Sequence, residues 1–149
     1  GLGSQVDKFE ENLNHAAERA VSHAAPIFVD AITSLTINDA FAILRGEDDA
    51  ATEYLRRSTE TSLRAAFQPE VDKAINEVEL TKYWQPLASA YNSASILTGQ
   101  EKVNPDLEEY VTGKAMDGLF LLISEEEEKI RENPAARVTE LLEKVFSAQ

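Results

Sequence analysis

The chain has 149 residues, the size of one ordinary globular domain, and 43% of them are hydrophobic. Its 27 acidic and 14 basic side chains give a net charge of −13, which argues against non-specific binding to nucleic acid or an anionic membrane surface. The absence of cysteine excludes a disulfide scaffold, a cysteine-ligated metal site and a thiol nucleophile.

The N-terminal region has the pattern of a helix with a face of small residues. Apolar side chains recur in steps of three and four over residues 4–24, which predicts a tight contact with another helix. The chain begins on Gly1 rather than Met, directly before this pattern. We therefore expect a piece processed or trimmed from a longer precursor, with a cloning remnant at residues 1–4 as the alternative.

A short helix is predicted over residues 37–45. Thr36 and Asp39 have the spacing of a capping box at its start, and Gly46 has the position of the residue that ends it. The acidic turn at residues 47–49 is expected to cap the helix that begins near Ala50. A run of Ser and Thr at residues 58–62 weakens that helix and predicts a break.

Prolines mark the expected corners between helices, since proline removes a backbone donor and disfavours helix in the residue before it. Pro134 starts a new helix, Pro26 and Pro69 each either kink a helix or start a new one, and Pro86 lies near the start of an aromatic helix over about residues 83–91. Residues 93–103 lack periodicity and are predicted to form a loop. No run reaches the about 18 apolar residues of a membrane span, and no segment alternates as a strand does.

The longest helical pattern follows Asn104, which with Pro105 has the residue types of a helix start. Gly113 and Gly118 each cost about 1 kcal/mol relative to Ala, so we expect another helix to cross closely there. Met116, Phe120 and Leu121 widen the apolar stripe between Ala115 and Ile123, which predicts that the middle of the helix is covered on most sides.

The last part of this helix, residues 124–132, reads as a charged surface with i,i+4 pairs of Glu125 with Lys129 and Glu127 with Arg131. Pro134 then begins a final amphipathic helix. The sequence thus predicts one all-α domain over residues 1–149, a compact bundle of about seven to nine helices with proline-marked corners and no sheet.

Five long segments resemble the family called domain of unknown function 4197. They are residues 9–20 (FEENLNHAAERA), 26–46 (PIFVDAITSLTINDAFAILRG), 50–54 (AATEY), 110–120 (YVTGKAMDGLF) and 126–146, with KIRENPAARVTELLEKVF. The resemblance implies an all-α, mostly bacterial protein with no assigned activity. It also implies a periplasmic or envelope location, because members usually carry an exported or lipoprotein-like N-terminus.

Five polar residues are candidates for lining a pocket. Asn14 and Glu18 form an i,i+4 pair amid alanines, and Lys114 lies one turn from Asp117 beside Tyr110. A desolvated lysine can act as base or nucleophile. A hydrogen-bonded pair and an internal salt bridge explain the same residues, and we favour these structural interpretations.

Two further sets are weaker candidates. Asp48 and Asp49 could hold Mg²⁺ or Ca²⁺, although the calcium-loop spacing is absent and helix capping is favoured. Arg131 and Arg137 flank the Pro134 corner and could bind an anion, although pairing with nearby glutamates is favoured. No nucleophile elbow, Walker A, dinucleotide-binding or zinc-protease motif occurs, and no cofactor is expected.

The sequence therefore favours a non-enzymatic helical domain that binds a protein or small molecule. One alternative is an acid/base or metal-assisted hydrolase using Glu18, Lys114 and Asp117. Another is a homo-oligomerising module, because an aromatic group at Tyr83, Trp84 and Tyr91 would suggest a partner site if part of it were exposed.

Overall fold

The computed structural model describes residues 2–77 and 81–133 and contains five α-helices, with no strand in those ranges. The helices are α1 (Leu2–Thr33), α2 (Ile37–Leu44), α3 (Ala50–Glu77), α4 (Thr81–Thr98) and α5 (Leu107–Glu132). The all-α prediction is confirmed, but the count of seven to nine helices is not. The predicted helix after Pro134, together with Arg137, lies outside the described residues.

Three of the prolines lie inside helices. Pro26 is in α1 and Pro69 is in α3, so the alternative that a new helix starts at these two prolines is wrong. Pro86 lies inside α4, within a helix as predicted. A proline inside a helix frees a carbonyl one turn earlier. All three prolines are exposed. Water can therefore satisfy the freed carbonyls, and the helix continues past each proline.

The predicted break in α3 is also absent, and the one buried hydroxyl group of this run bonds within the helix. Thr59 is 1% exposed, and its Oγ1 donates a 2.6 Å hydrogen bond to the carbonyl of Leu55. This bond to the preceding turn satisfies the buried hydroxyl group, so burial of Thr59 leaves no unpaired polar atom on its side chain. The run at residues 58–62 therefore passes through α3 without ending it.

The start of α2 confirms the predicted capping box. The Asp39 amide donates to Thr36 Oγ1 over 3.1 Å, and the Thr36 amide donates to Asp39 Oδ2 over 3.1 Å. Hydrogen bonds from the Thr36 side chain and backbone lower the pKa of Asp39. Gly46 does follow the end of α2, as predicted. Glycine is required at this position because a side chain would clash with Ala50. A Cβ at Gly46 would lie 2.6 Å from the Ala50 Cβ, so only glycine fits.

The connection from α4 to α5 is shorter than predicted. Helix α4 continues to Thr98 and ends at Gly99, whose φ of 70° is the left-handed conformation of a helix terminus. The cap of α5 is Asp106 rather than Asn104. The Asp106 Oδ1 accepts from the Glu109 amide over 3.0 Å, while Asn104 Oδ1 accepts from the Asp106 amide over 2.9 Å.

The described residues form two compact units, one from residues 2–25, 62–77 and 81–116 and the other from residues 26–61 and 117–133. The first unit has a core in which α3 packs on α5. Its buried members and the aromatic rings against them are Val71, Ile75, Leu107, Val111, Trp84 and Tyr110. On α1, Ala16, Ala20 and Ala24 are buried, as the stripe of small residues predicts.

The second unit centres on Phe120, which is 1% exposed. Its ring is nearly perpendicular to the Phe28 ring, and the two ring centroids are 6.2 Å apart. Burying a side chain of this size contributes about 2–3 kcal/mol. Leu121 and Leu122 are exposed, so α5 is not covered on most sides there.

The predicted close crossing at Gly113 and Gly118 is wrong for the described part of the chain. A Cβ at either glycine would meet none of its atoms within 4 Å, outside the backbone of α5 itself.

Within residues 2–77 and 81–133, no single helix is long and apolar enough to cross a membrane. One bent pair of segments, Asn14–Thr33 with Ile37–Leu44, passes the test of length and composition when the two are taken together.

Candidate interaction surface

The predicted pocket residues of α1 lie on an exposed face. Asn14 and Glu18 are both exposed, and the Glu18 carboxylate lies 3.8 Å from His15 Nδ1. Arg19, not Asn14 or Glu18, makes the hydrogen bond from this helix to α3. Its Nε donates a 2.6 Å hydrogen bond to Glu70 on α3, and this bond lowers the pKa of Glu70. Spacing on α1 alone could not reveal that partner, 51 positions away.

Lys114 and Asp117, the charged pocket candidates of α5, each contact a different partner. The Lys114 ammonium lies 5.7 Å from the centre of the Tyr110 ring, a cation–π contact within the first unit. Asp117 belongs to the second unit and is 3.3 Å from Arg56 Nη1. A pocket that unites these residues with Asn14 and Glu18 stays a prediction.

Glu127 has a structural role that the sequence does not reveal. Its carboxylate accepts hydrogen bonds from the Ala51 and Thr52 amides, at 2.8 and 2.7 Å, and from Thr52 Oγ1 at 2.8 Å. It thus caps α3 from 75 positions away and places negative charge at the positive end of the helix dipole. Asp48 and Asp49 are exposed, and the capping carboxylate predicted in that turn comes from Glu127 instead.

Arg131 completes this network and is the pair predicted for Glu127. Its Nη2 is 2.8 Å from Glu127 Oε1 and also donates over 2.7 Å to the Ile43 carbonyl at the end of α2. The guanidinium therefore meets the negative end of one helix while Glu127 meets the positive end of another. This use of Arg131 supports the pairing interpretation over anion binding.

The pKa of Glu127 reflects two opposing effects. Burial is the largest single effect and raises the pKa, but the hydrogen bonds from Ala51, Thr52 and Arg131 together lower it below the ordinary value. The pair is buried, with side chains 6% and 7% exposed. On the exposed side of α5, Lys129 pairs with Glu126 at 2.6 Å rather than with the predicted Glu125.

A second acidic site joins α3 and α5 in the first unit. Glu108 has a raised pKa, first because burial disfavours its charge and then because the Asp72 carboxylate is adjacent. The buried Oδ1 of Asp72 has no hydrogen-bond partner among the described atoms. The pair holds two carboxyl groups and no third ligand. The described residues contain no group of three or more His, Asp or Glu side chains that could hold a metal ion.

One face of α4 is anchored to the rest of the first unit. Asn92 exchanges two hydrogen bonds of 2.8 Å with the backbone of Val103, and Trp84 Nε1 donates over 3.0 Å to the Asn104 carbonyl. The Trp84 ring also packs on Tyr110, with centroids 4.8 Å apart. These contacts hold the segment after Gly99 along α4 and fix the rotation of the helix.

A neighbouring face of α4 is apolar and exposed to solvent. Its large side chains recur in helical steps and are Tyr83 (44% exposed), Leu87 (69%), Tyr91 (42%) and Leu97 (89%). Ala90 and Ala94 lie between them and are also exposed. These six positions, called here the α4 stripe, fall within about 120° of the helix circumference at 100° per residue. Sequence spacing alone could equally assign them to a core.

The α4 stripe is also unusually free of charge for this protein. Helix α4 contains no acidic residue and one basic residue, Lys82, although 28% of the whole chain is charged. The stripe is therefore an exposed apolar surface without carboxylates on a chain of net charge −13, and exposed apolar patches are often interaction sites.

Comparison with known proteins agrees with the resemblance seen in the sequence. The model of the family described as "Protein of unknown function (DUF4197)" matches residues 1–147. No curated protein and no solved structure matches the chain. Since the match spans nearly every residue, the chain belongs to the DUF4197 family of proteins of unknown function.

Proposed function

We propose that this chain is a non-enzymatic interaction domain that binds another polypeptide through the α4 stripe. The observation that carries the proposal is the exposure of Tyr83, Leu87, Tyr91 and Leu97 along one face of a single helix. Taking about 200 Å² for each fully exposed large side chain, these four leave about 500 Å² in contact with water. A patch of that size is at the upper end for a monomer and is often functional.

The composition of the stripe fits protein recognition. Tyrosine is enriched among the residues that dominate binding energy, because it buries a large rigid surface at low entropic cost. Leu87 lies between the two tyrosines. The Lys82 ammonium lies 5.6 Å from the centre of the Tyr83 ring, and the other polar residues of α4 are uncharged. The partner we infer is a polypeptide with an apolar, uncharged helical face, since such a face needs no buried charge in the interface.

The anchoring of α4 supports binding by a preformed surface. Asn92 and Trp84 hold the inner face of the helix, so the stripe keeps its geometry in the free protein. Binding then costs little ordering of the backbone. The hydrolase alternative has no comparable support, because the exposed Glu18 and Asp117 already lie beside His15 and Arg56.

We further propose a periplasmic or envelope location for the protein, which rests on family membership. Fractionation of host cells that produce the protein from its own gene tests this point. Recovery with periplasmic or membrane-associated marker proteins is expected, and recovery with cytoplasmic markers would contradict it.

The binding function is tested by site-specific photo-crosslinking in the host. A photoreactive residue replaces Leu87 on the stripe in one protein and Ser89, an exposed position on another side of the same helix, in the control. We expect a discrete protein adduct from position 87 that is lost when Tyr91→Glu is added. Equal adducts from both positions, or none from position 87, would refute the proposal.

A further inference from the structure

We infer that the partner of the α4 stripe is the α4 stripe of a second copy of this chain, packed antiparallel about a two-fold axis near Ala90. This inference rests on the proposed function and names its partner. The stripe runs from Tyr83 to Leu97, about 21 Å along the helix at 1.5 Å per residue. Two such helices can lie side by side over their whole apolar length.

The order of side chains along the stripe is complementary to its own reverse. In an antiparallel pair centred between Ala90 and Tyr91, Leu87 lies opposite Ala94 of the partner subunit, and Tyr83 lies within one residue of Leu97 of the partner subunit. Large residues thus face small ones near the centre, where helices must approach to about 8–10 Å. An interface that uses the same patch on both copies is the commonest form of symmetric assembly.

Electrostatics favours this face over the rest of the surface. Each copy carries a net charge of −13, so two copies repel each other wherever carboxylates meet. Helix α4 is the only one of the five described helices that has no carboxylate. Contact through α4 therefore brings no carboxylate of this helix into the interface.

The available area predicts a dimer that dissociates on dilution. With about 500 Å² on each copy, the pair buries about 1,000 Å², which is close to the lower limit for a specific interface. Added salt is expected to strengthen the dimer, because it shortens the screening length from about 30 Å at 0.01 M to about 8 Å at 0.15 M. An interface formed by surface ion pairs would respond in the opposite direction.

The experiment is sedimentation equilibrium of the full chain over a range of concentrations. We expect the mass of wild type and of the control Ser89→Glu to rise from the 16.5 kDa monomer toward twice that value. Leu87→Glu is expected to weaken the dimer at least about 100-fold, because symmetry places the substitution in the interface twice. Circular dichroism of each variant checks that the helices are retained.

A charge pair tests the antiparallel register. Ala94→Lys is expected to weaken self-association, whereas mixing it with Leu87→Glu should form a one-to-one heterodimer, because the two positions face each other across the axis. Failure of that mixture to pair, with each variant folded, would overturn the register.

A wild-type chain that stays monomeric up to about 1 mM, the range of the weakest specific complexes, would overturn self-association. An adduct between position 87 and a different protein in the host would then leave the proposed function standing with another partner. A monomer that also gives no adduct at position 87 would refute both proposals.

Discussion

Replacing Glu127 by alanine should cost about 4 kcal/mol of unfolding free energy. The substitution removes the cap on the amides of Ala51 and Thr52 and leaves the Arg131 guanidinium, whose side chain is 7% exposed, without its carboxylate. Breaking a buried ion pair by removing one partner typically costs 3–5 kcal/mol. With an m-value of about 2 kcal/mol per molar urea, the midpoint of unfolding should fall by about 2 M.

The matched control is Glu126→Ala, one position earlier on α5. Glu126 is 66% exposed and pairs with Lys129 on the surface, so its removal should cost less than about 1 kcal/mol. Urea unfolding followed by circular dichroism measures both variants. If Glu127→Ala fell within 1 kcal/mol of the control, the assignment of Glu127 as a buried cap would be wrong.

Two further measurements examine the same network. Combining Glu127→Ala with Arg131→Met removes both charges, so the double variant should be more stable than Glu127→Ala alone. The folded pKa of Glu127 is lowered, so its stabilising effect is present above the unfolded pKa and disappears as the pH falls through the folded pKa. The difference between wild type and Glu127→Ala should therefore be full at neutral pH and shrink in acid.

The raised pKa of Glu108 stabilises the fold below its unfolded pKa and loses that effect as the pH rises through the folded pKa. Glu108→Gln, which mimics the protonated form, should therefore raise the thermal midpoint at pH 7 more than at pH 4. Gly46→Ala should destabilise by about 1–3 kcal/mol through overpacking, whereas Gly118→Ala, with no described side chain nearby, should be neutral or stabilise by up to about 1 kcal/mol. Asn92→Ala should cost about 1–3 kcal/mol, because the backbone of Val103 loses both bonds.

Each of these outcomes has a clear opposite. A pH-independent effect of Glu108→Gln would show that its carboxyl group is not desolvated in the folded state. Equal effects of alanine at the two glycines would contradict the close approach of Gly46 to Ala50. Amide exchange of residues 99–106 that is unchanged in Asn92→Ala would mean that Asn92 does not hold that segment on α4.

The features that sequence reasoning predicted correctly are local ones. The capping box of Thr36 and Asp39 and the i,i+4 pair of Glu127 and Arg131 depend on residues within one helical turn, so their spacing is sufficient evidence. Family membership could also be predicted from the sequence, because the matching segments together cover a large part of the chain. The burial of Glu127 was not readable, because it depends on amides 75 positions away.

The predicted count of seven to nine helices was not confirmed, because the effect of a proline on a helix depends on whether water can reach the carbonyl that it frees. A proline is expected to end a helix, but Pro26 and Pro69 are exposed and water can satisfy the freed carbonyls. The prediction of close helix contacts from glycines was also wrong in position. Gly113 and Gly118 suggested a close crossing that is absent from the described residues, whereas Gly46 makes the close approach. Whether a small residue marks a contact depends on packing that the sequence pattern does not contain.

The stripe on α4 shows the same limit from the functional side. Its spacing predicts an apolar face, but only the structure shows that Trp84 and Asn92 take the inner side and leave Leu87 in solvent. An apolar helical face reads as core in a sequence, since most such faces are buried. Exposure in the folded unit is what turns it into a candidate contact surface.

The central claim is that a partner covers the α4 stripe in the cell, and thiol labelling tests it most directly. The chain contains no cysteine, so Leu87→Cys or Ser89→Cys introduces the single reactive group. In host cells, we expect position 87 to react with a maleimide at least about tenfold more slowly than position 89, whereas both react freely in the dilute purified protein. Equal rates at the two positions in the cell would show that the stripe stays exposed to solvent and would contradict the account.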